Sequence, residues 1–145
     1  MRLAPPLVAL CSCLAAAGCG LESGKDRYVA DYQPLNDRVV QLNERLVKTL
    51  NTPSSPGRLA GELAPLSGQL DRLSRQVAAL ETPEDLREES AALSQSLART
   101  GAGVGRTASF ARNSDRPALV ASTRRLADDV NRLADRTKRL ADAVG

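Results

Sequence analysis

"RRLADDVNRLADRTKRLADAVG", Arg124 to Gly145, closes the chain and repeats one tetrapeptide three times. Arg-Leu-Ala-Asp begins at Arg125, Arg132 and Arg139, each seven residues after the last. Seven residues are nearly two turns of α-helix, so the same side chains return to the same face. Leu126, Leu133 and Leu140 take heptad position d, and Val130, Thr137 and Val144 take position a. Ala127, Ala134 and Ala141 then fall at e, beside the seam, where a small side chain admits close helix approach. Asp128 stands four residues before Arg132, and Asp135 four before Arg139, the favourable order for a pair worth a few tenths of a kcal/mol. The repeat therefore reads as the packing seam of an amphipathic helix. The competing reading, a recognition stripe of arginines, needs a ligand that the period itself does not.

The same steps of three and four run upstream. Tyr28, Tyr32, Leu35, Val39, Leu42 and Leu46 form one stripe. Leu59, Leu63, Leu66, Leu70, Leu73, Val77 and Leu80 form a second, and Leu86, Leu93, Leu97 and Val104 a third. "NTPSSPG", Asn51 to Gly57, and "RNSDRP", Arg112 to Pro117, separate stripes with turn residues, Ser114 or Asp115 capping the last helix. In "ETPEDL", Thr82 is placed as an N-cap with Pro83 in the first helical position and Asp85 near the capping-box slot. Pro65 lies inside the second stripe, and we expect a continuous but bent helix there. "GAGVG", Gly101 to Gly105, is the one stretch whose helicity the pattern leaves open. Four segments with short connections predict an all-α fold: an elongated antiparallel bundle of about four helices with coiled-coil-like seams.

Composition narrows the function. The 145 residues carry 20 basic and 17 acidic side chains, a net charge of +3. That balance, with two tyrosines, one phenylalanine and no tryptophan, offers neither the basic footprint nor the stacking platform of a nucleic-acid binder. There is no histidine, which removes the commonest general base and the commonest transition-metal ligand. Few aromatics argue against a large ligand pocket.

The first residues, "MRLAPPLVALCSCLAAAGCG", place Arg2 before an apolar run from Leu7 to Ala17. The run is far shorter than the ~20 residues that span a bilayer. It has the length of a signal-peptide core, with small residues at its end. Ala16-Ala17-Gly18-Cys19 resembles the lipobox of bacterial lipoproteins, with Ala16 in a slot where that family favours leucine. The resemblance implies cleavage after Gly18 and lipidation of Cys19. It divides the chain into a signal peptide (1–18), a lipidated cysteine and flexible tether (19–26), and a helical bundle domain (27–145). Cys11 and Cys13 leave with the signal peptide, so Cys19 is the lone remaining cysteine and internal disulfides are not expected. Localisation follows as a lipid anchor on the extracytoplasmic face of a membrane. Gly20, where enterobacterial sorting would use aspartate for inner-membrane retention, is compatible with the outer membrane of a diderm.

Other candidates for chemistry are weak. Glu81, Glu84, Asp85, Glu88 and Glu89 form the densest acidic group, but acids in the first turns of a helix also complement its dipole. Gly101 to Gly105 resembles part of a phosphate loop, yet a helical pattern precedes it and no Gly-Lys-Ser or Gly-Lys-Thr follows. A serine nucleophile would depend on Lys25, Lys48 or Lys138, all placed on polar surface or tether. We therefore expect no catalytic residues, no metal and no cofactor. The expected partners are the membrane, through Cys19, and a protein or second copy through helical faces, without nucleic acid. A ligand-sensing or solute-binding bundle is one alternative, and non-covalent cell-wall association is another. The chain is similar to murein lipoprotein in joining a lipid anchor to heptads, but it ends Val144-Gly145 where that family has its wall-linking lysine.

Overall fold

The computed structural model describes residues 24–145. The signal-peptide motif, Cys19 and the start of the expected tether lie outside the described residues. Four helices follow: α1 (Gly24–Asn51), α2 (Pro56–Ala78), α3 (Arg87–Arg112) and α4 (Arg116–Val144). Each helix packs on its two ring neighbours, α1 on α2 and α4, and α3 on α2 and α4, while the diagonal pairs stay apart. The result is an antiparallel four-helix bundle. At about 1.5 Å per residue the longest helix spans roughly 40 Å.

The alternating three-four stripes form the core. All six apolar positions read from the first stripe are buried on α1, and Leu86, Leu93, Leu97 and Val104 are buried in the third. On α2 the central five positions, Leu63 to Val77, are buried, while Leu59 and Leu80 are partly covered at the ends. On α4, Leu126, Val130, Leu133, Thr137 and Leu140 are buried, so the Arg-Leu-Ala-Asp repeat is a packing seam.

Pro34 and Pro65 sit inside α1 and α2 without ending them. Both prolines are exposed, so water can serve the carbonyls that lose a partner. α1 is already formed at Gly24, the first described residue, three residues before the boundary placed at residue 27. Gly101 to Gly105 is helical throughout, inside α3.

Three local readings change. Thr82 does not cap a helix: its hydroxyl donates to the Leu80 carbonyl at 3.1 Å, Pro83 is extended, and a single 3₁₀ turn, Glu84–Leu86, precedes α3. Ala127, Ala134 and Ala141 are exposed rather than lining a close contact. α1, their neighbour on that side, makes few close approaches to α4, so a methyl group at e is too short to be covered. The expected pairs Asp128–Arg132 and Asp135–Arg139 do not form. Arg132 turns to Asp129 at 3.5 Å and Lys138 to Asp142 instead. At the start of α4 the capping expectation holds: Asp115 accepts from the Ala118 N–H at 3.1 Å, with Pro117 in the first turn. Ser114 carries the left-handed turn, φ 56°.

The closest contact in the bundle is between α2 and α3. It is built from small residues in antiparallel heptad register. The Ser67 hydroxyl donates to the Gly101 carbonyl at 2.8 Å. Seven residues along α2 and seven back along α3, Ser74 donates to the Ser94 carbonyl at 2.9 Å, and Ser94 to the Ser74 carbonyl at 3.1 Å. Ala60 and Ala108 are both buried one heptad in the other direction. A Cβ on Gly101 would stand 3.2 Å from the Leu70 Cβ and 3.3 Å from the Ser67 carbonyl oxygen. Glycine is favoured here by the approach of the helices, not by its own backbone angles.

Candidate functional site

The acidic group read from the sequence gathers at the α2–α3 turn. Glu81 reaches Arg27 at 3.7 Å and Glu89 reaches Arg136 at 3.8 Å, tying that turn to the start of α1 and to α4. Among the described residues, no group of His, Cys, Asp and Glu has the arrangement to hold a metal ion. Gly101 and Gly105 face Ser67 on α2 and Gly103 faces Leu126 and Asp129 on α4, so the stretch forms helix contacts rather than a phosphate loop. Lys25 donates to the Ala143 carbonyl at 3.3 Å and Lys138 pairs with Asp142. No lysine is hydrogen-bonded to a serine among the described residues.

Tyr28 and Tyr32 stack at the end of the bundle where α1 begins, with ring centroids 5.7 Å apart and both residues 2% exposed. Burial pushes both phenols above their ordinary range, opposed at Tyr28 by the nearby Ser90 and Thr82 hydroxyls. The Tyr32 hydroxyl donates to Asn36 at 3.1 Å, whereas that of Tyr28 has no hydrogen-bond partner among the described residues. These rings pack the core and stay protonated at neutral pH.

Several surface clefts remain. Between α3 and α4, a cleft of 190 Å³ has Phe110, Ala118, Ala121 and Leu126 in its lining, with Arg106 and Arg125 alongside. The first arginine of the terminal repeat thus flanks one groove, while the second, partly neutralised by Asp129, and the third, Arg139, line another together with Arg99 and Asp135.

An open groove of 310 Å³ lies between α1 and α2. Its polar lining is Arg38, Arg45 and Arg72 with Gln41, Gln69 and Gln76. Leu42 and Leu73, both buried, supply the apolar part. No carboxylate lines it. Of the acids that precede these arginines in sequence, Asp71 is taken by Arg75 at 2.6 Å, and Asp37 and Glu44 lie outside the lining. None of the six polar side chains has an ion pair or hydrogen bond within the described residues. Sequence reading missed this groove because its residues lie on two helices, at positions that look like ordinary solvated surface. The signal was Arg38 and Arg45, seven apart on the flank of the first stripe. Comparison with known proteins adds no relative: no protein family, curated protein or solved structure matches this chain.

Proposed function

We propose that this chain is a non-enzymatic, membrane-anchored envelope lipoprotein whose helical body acts by contact with a protein partner. The observation that carries the reading is Ala16-Ala17-Gly18-Cys19 at the end of a short apolar run. Lipidation of Cys19 would place the bundle within five residues of its anchor, since α1 is already formed at Gly24. None of the described helices is long and apolar enough to cross a membrane, so in this reading the acyl chains hold the protein. The body suits a rigid contact element: four helices locked by a leucine core and, on one side, by reciprocal serine bonds. Its unpaired polar groups face outward from grooves.

The test is Cys19→Ser in the native host, followed by fractionation and labelling with a radioactive fatty acid. The lipoprotein reading expects label on the wild type only, and release of the variant from membranes with its helicity intact. Retention of the variant in the membrane fraction refutes the anchor. Crosslinking in the envelope then tests the contact role, which expects a protein adduct rather than glycan or lipid alone.

A further inference from the structure

We propose that the α1–α2 groove is the docking site for an extended acidic segment of the partner protein, its carboxylates held by Arg38, Arg45 and Arg72. The proposal rests on the protein-contact reading above and names the chemistry of the partner. Three guanidiniums without a single carboxylate in the lining make the groove a site for negative charge. Guanidinium groups pair with carboxylates through two parallel hydrogen bonds, a geometry that lysine does not offer. Arg38 and Arg45 lie about 10 Å apart along the helix axis, which about three residues of extended chain span.

The glutamines decide which anion. Each carboxamide both donates and accepts hydrogen bonds. Gln41, Gln69 and Gln76 therefore match a peptide backbone, whose N–H and C=O groups need both kinds of partner. A polyphosphate presents acceptors only and would leave three glutamine carbonyls unmatched. Leu42 and Leu73 are buried and form only the floor of the groove. The groove also stands away from the proposed anchor. Arg38 is fourteen residues along α1 from Gly24, roughly 20 Å up the helix axis, beyond the ~8 Å screening length at physiological salt.

The test uses the full chain in a non-ionic detergent and a fluorescein-labelled peptide of three Glu-Ser-Gly repeats, with Gln-Ser-Gly repeats as the neutral control. Anisotropy is expected to show saturable binding of the glutamate peptide alone, weakened by added salt. The triple variant Arg38→Gln, Arg45→Gln, Arg72→Gln should weaken it about tenfold or more, as lost charge-assisted pairs do. The triple variant Arg112→Gln, Arg116→Gln, Arg124→Gln removes the same charge from exposed sites elsewhere and should leave affinity nearly unchanged. Arg38→Glu alone repeats the first test by charge reversal. Inorganic tripolyphosphate should compete poorly. Absence of saturable binding, equal effects of the two triple variants, or displacement by tripolyphosphate at lower concentration than unlabelled peptide overturns the proposal. If the peptide fails while envelope crosslinking still yields a protein adduct, the groove assignment falls and the contact role stands. If the peptide binds but crosslinking yields only lipid or glycan, the contact role falls instead.

Discussion

Gly101 and Gly68 are both helix-interior glycines, and replacing each with alanine should move stability in opposite directions. Alanine is favoured over glycine in a helix by about 0.8–1.0 kcal/mol. Gly68 lies on α2 with nothing within 4 Å of where its Cβ would go, so that gain should appear whole. At Gly101 the same gain is opposed. The new methyl would sit 3.2 Å from the Leu70 Cβ and 3.3 Å from the Ser67 carbonyl oxygen. Neither is the far end of a flexible side chain, so α2 and α3 must separate by a few tenths of an ångström. Overpacking of this kind costs about 1–3 kcal/mol. Separation would also lengthen the Ser67–Gly101 bond, now 2.8 Å. The net expectation for Gly101→Ala is a loss of roughly 0–2 kcal/mol after the helix gain of about 1 kcal/mol. Gly101→Leu should lose considerably more. At a domain size near 120 residues, each kcal/mol moves Tm by roughly 3–6 °C. Thermal and urea melts followed by circular dichroism read both variants. Equal rises in Tm for Gly68→Ala and Gly101→Ala would refute the argument that close helix approach favours glycine at position 101.

Two further predictions follow from the core and its titratable groups. Leu133 is 0% exposed, so Leu133→Ala should cost about 2–5 kcal/mol, whereas Ala134→Ser, one residue along on the exposed face, should stay within about 0.5 kcal/mol; urea midpoints that fall equally for both would displace the seam assigned to the terminal repeat. Because burial raises the folded-state phenols of Tyr28 and Tyr32 above their ordinary value of about 10, their contribution is complete below pH 10 and is lost as pH rises beyond it. Alkaline unfolding followed by ultraviolet absorbance should therefore be steeper in the wild type than in Tyr32→Phe, and identical profiles would remove the tyrosines as the cause.

The seams and the fold class were legible because leucine and valine at steps of three and four have one economical use, the inside of a helical bundle. Asp115 was legible for a similar reason, since an acid before Arg-Pro meets the free N–H groups of a helix start. The α2–α3 contact was not. Ser67, Ser74, Ser94 and Gly101 look like poor helix residues one at a time. Their value exists only when two backbones come close enough for each hydroxyl to reach the opposite carbonyl. Asp129 was hidden likewise: its neighbour Asp128 fits the surface pairing rule, but the contact with α3 places Asp129 inward, beside Gly103. The alanines at e show the converse. A position beside a seam is covered only where the adjoining helix packs closely, and α1 packs on α4 less closely than α3 does. The α1–α2 groove lay beyond the reach of one-dimensional patterns, because its cations are contributed by two helices and owe their significance to the acids that are missing around them.

An even number of antiparallel helices brings the two ends of the described chain together, and the Lys25 contact with the Ala143 carbonyl ties them directly. For anyone building on this molecule, that geometry decides where cargo goes. A reporter fused after Gly145 would share its level with whatever is attached ahead of Gly24, crowding the base of the bundle. The far tip is reached only by insertion into the turns at 52–55 or 113–115. A short linker from 145 to 24, with new ends opened at 52–55, would present the same four-helix surface from the opposite pole.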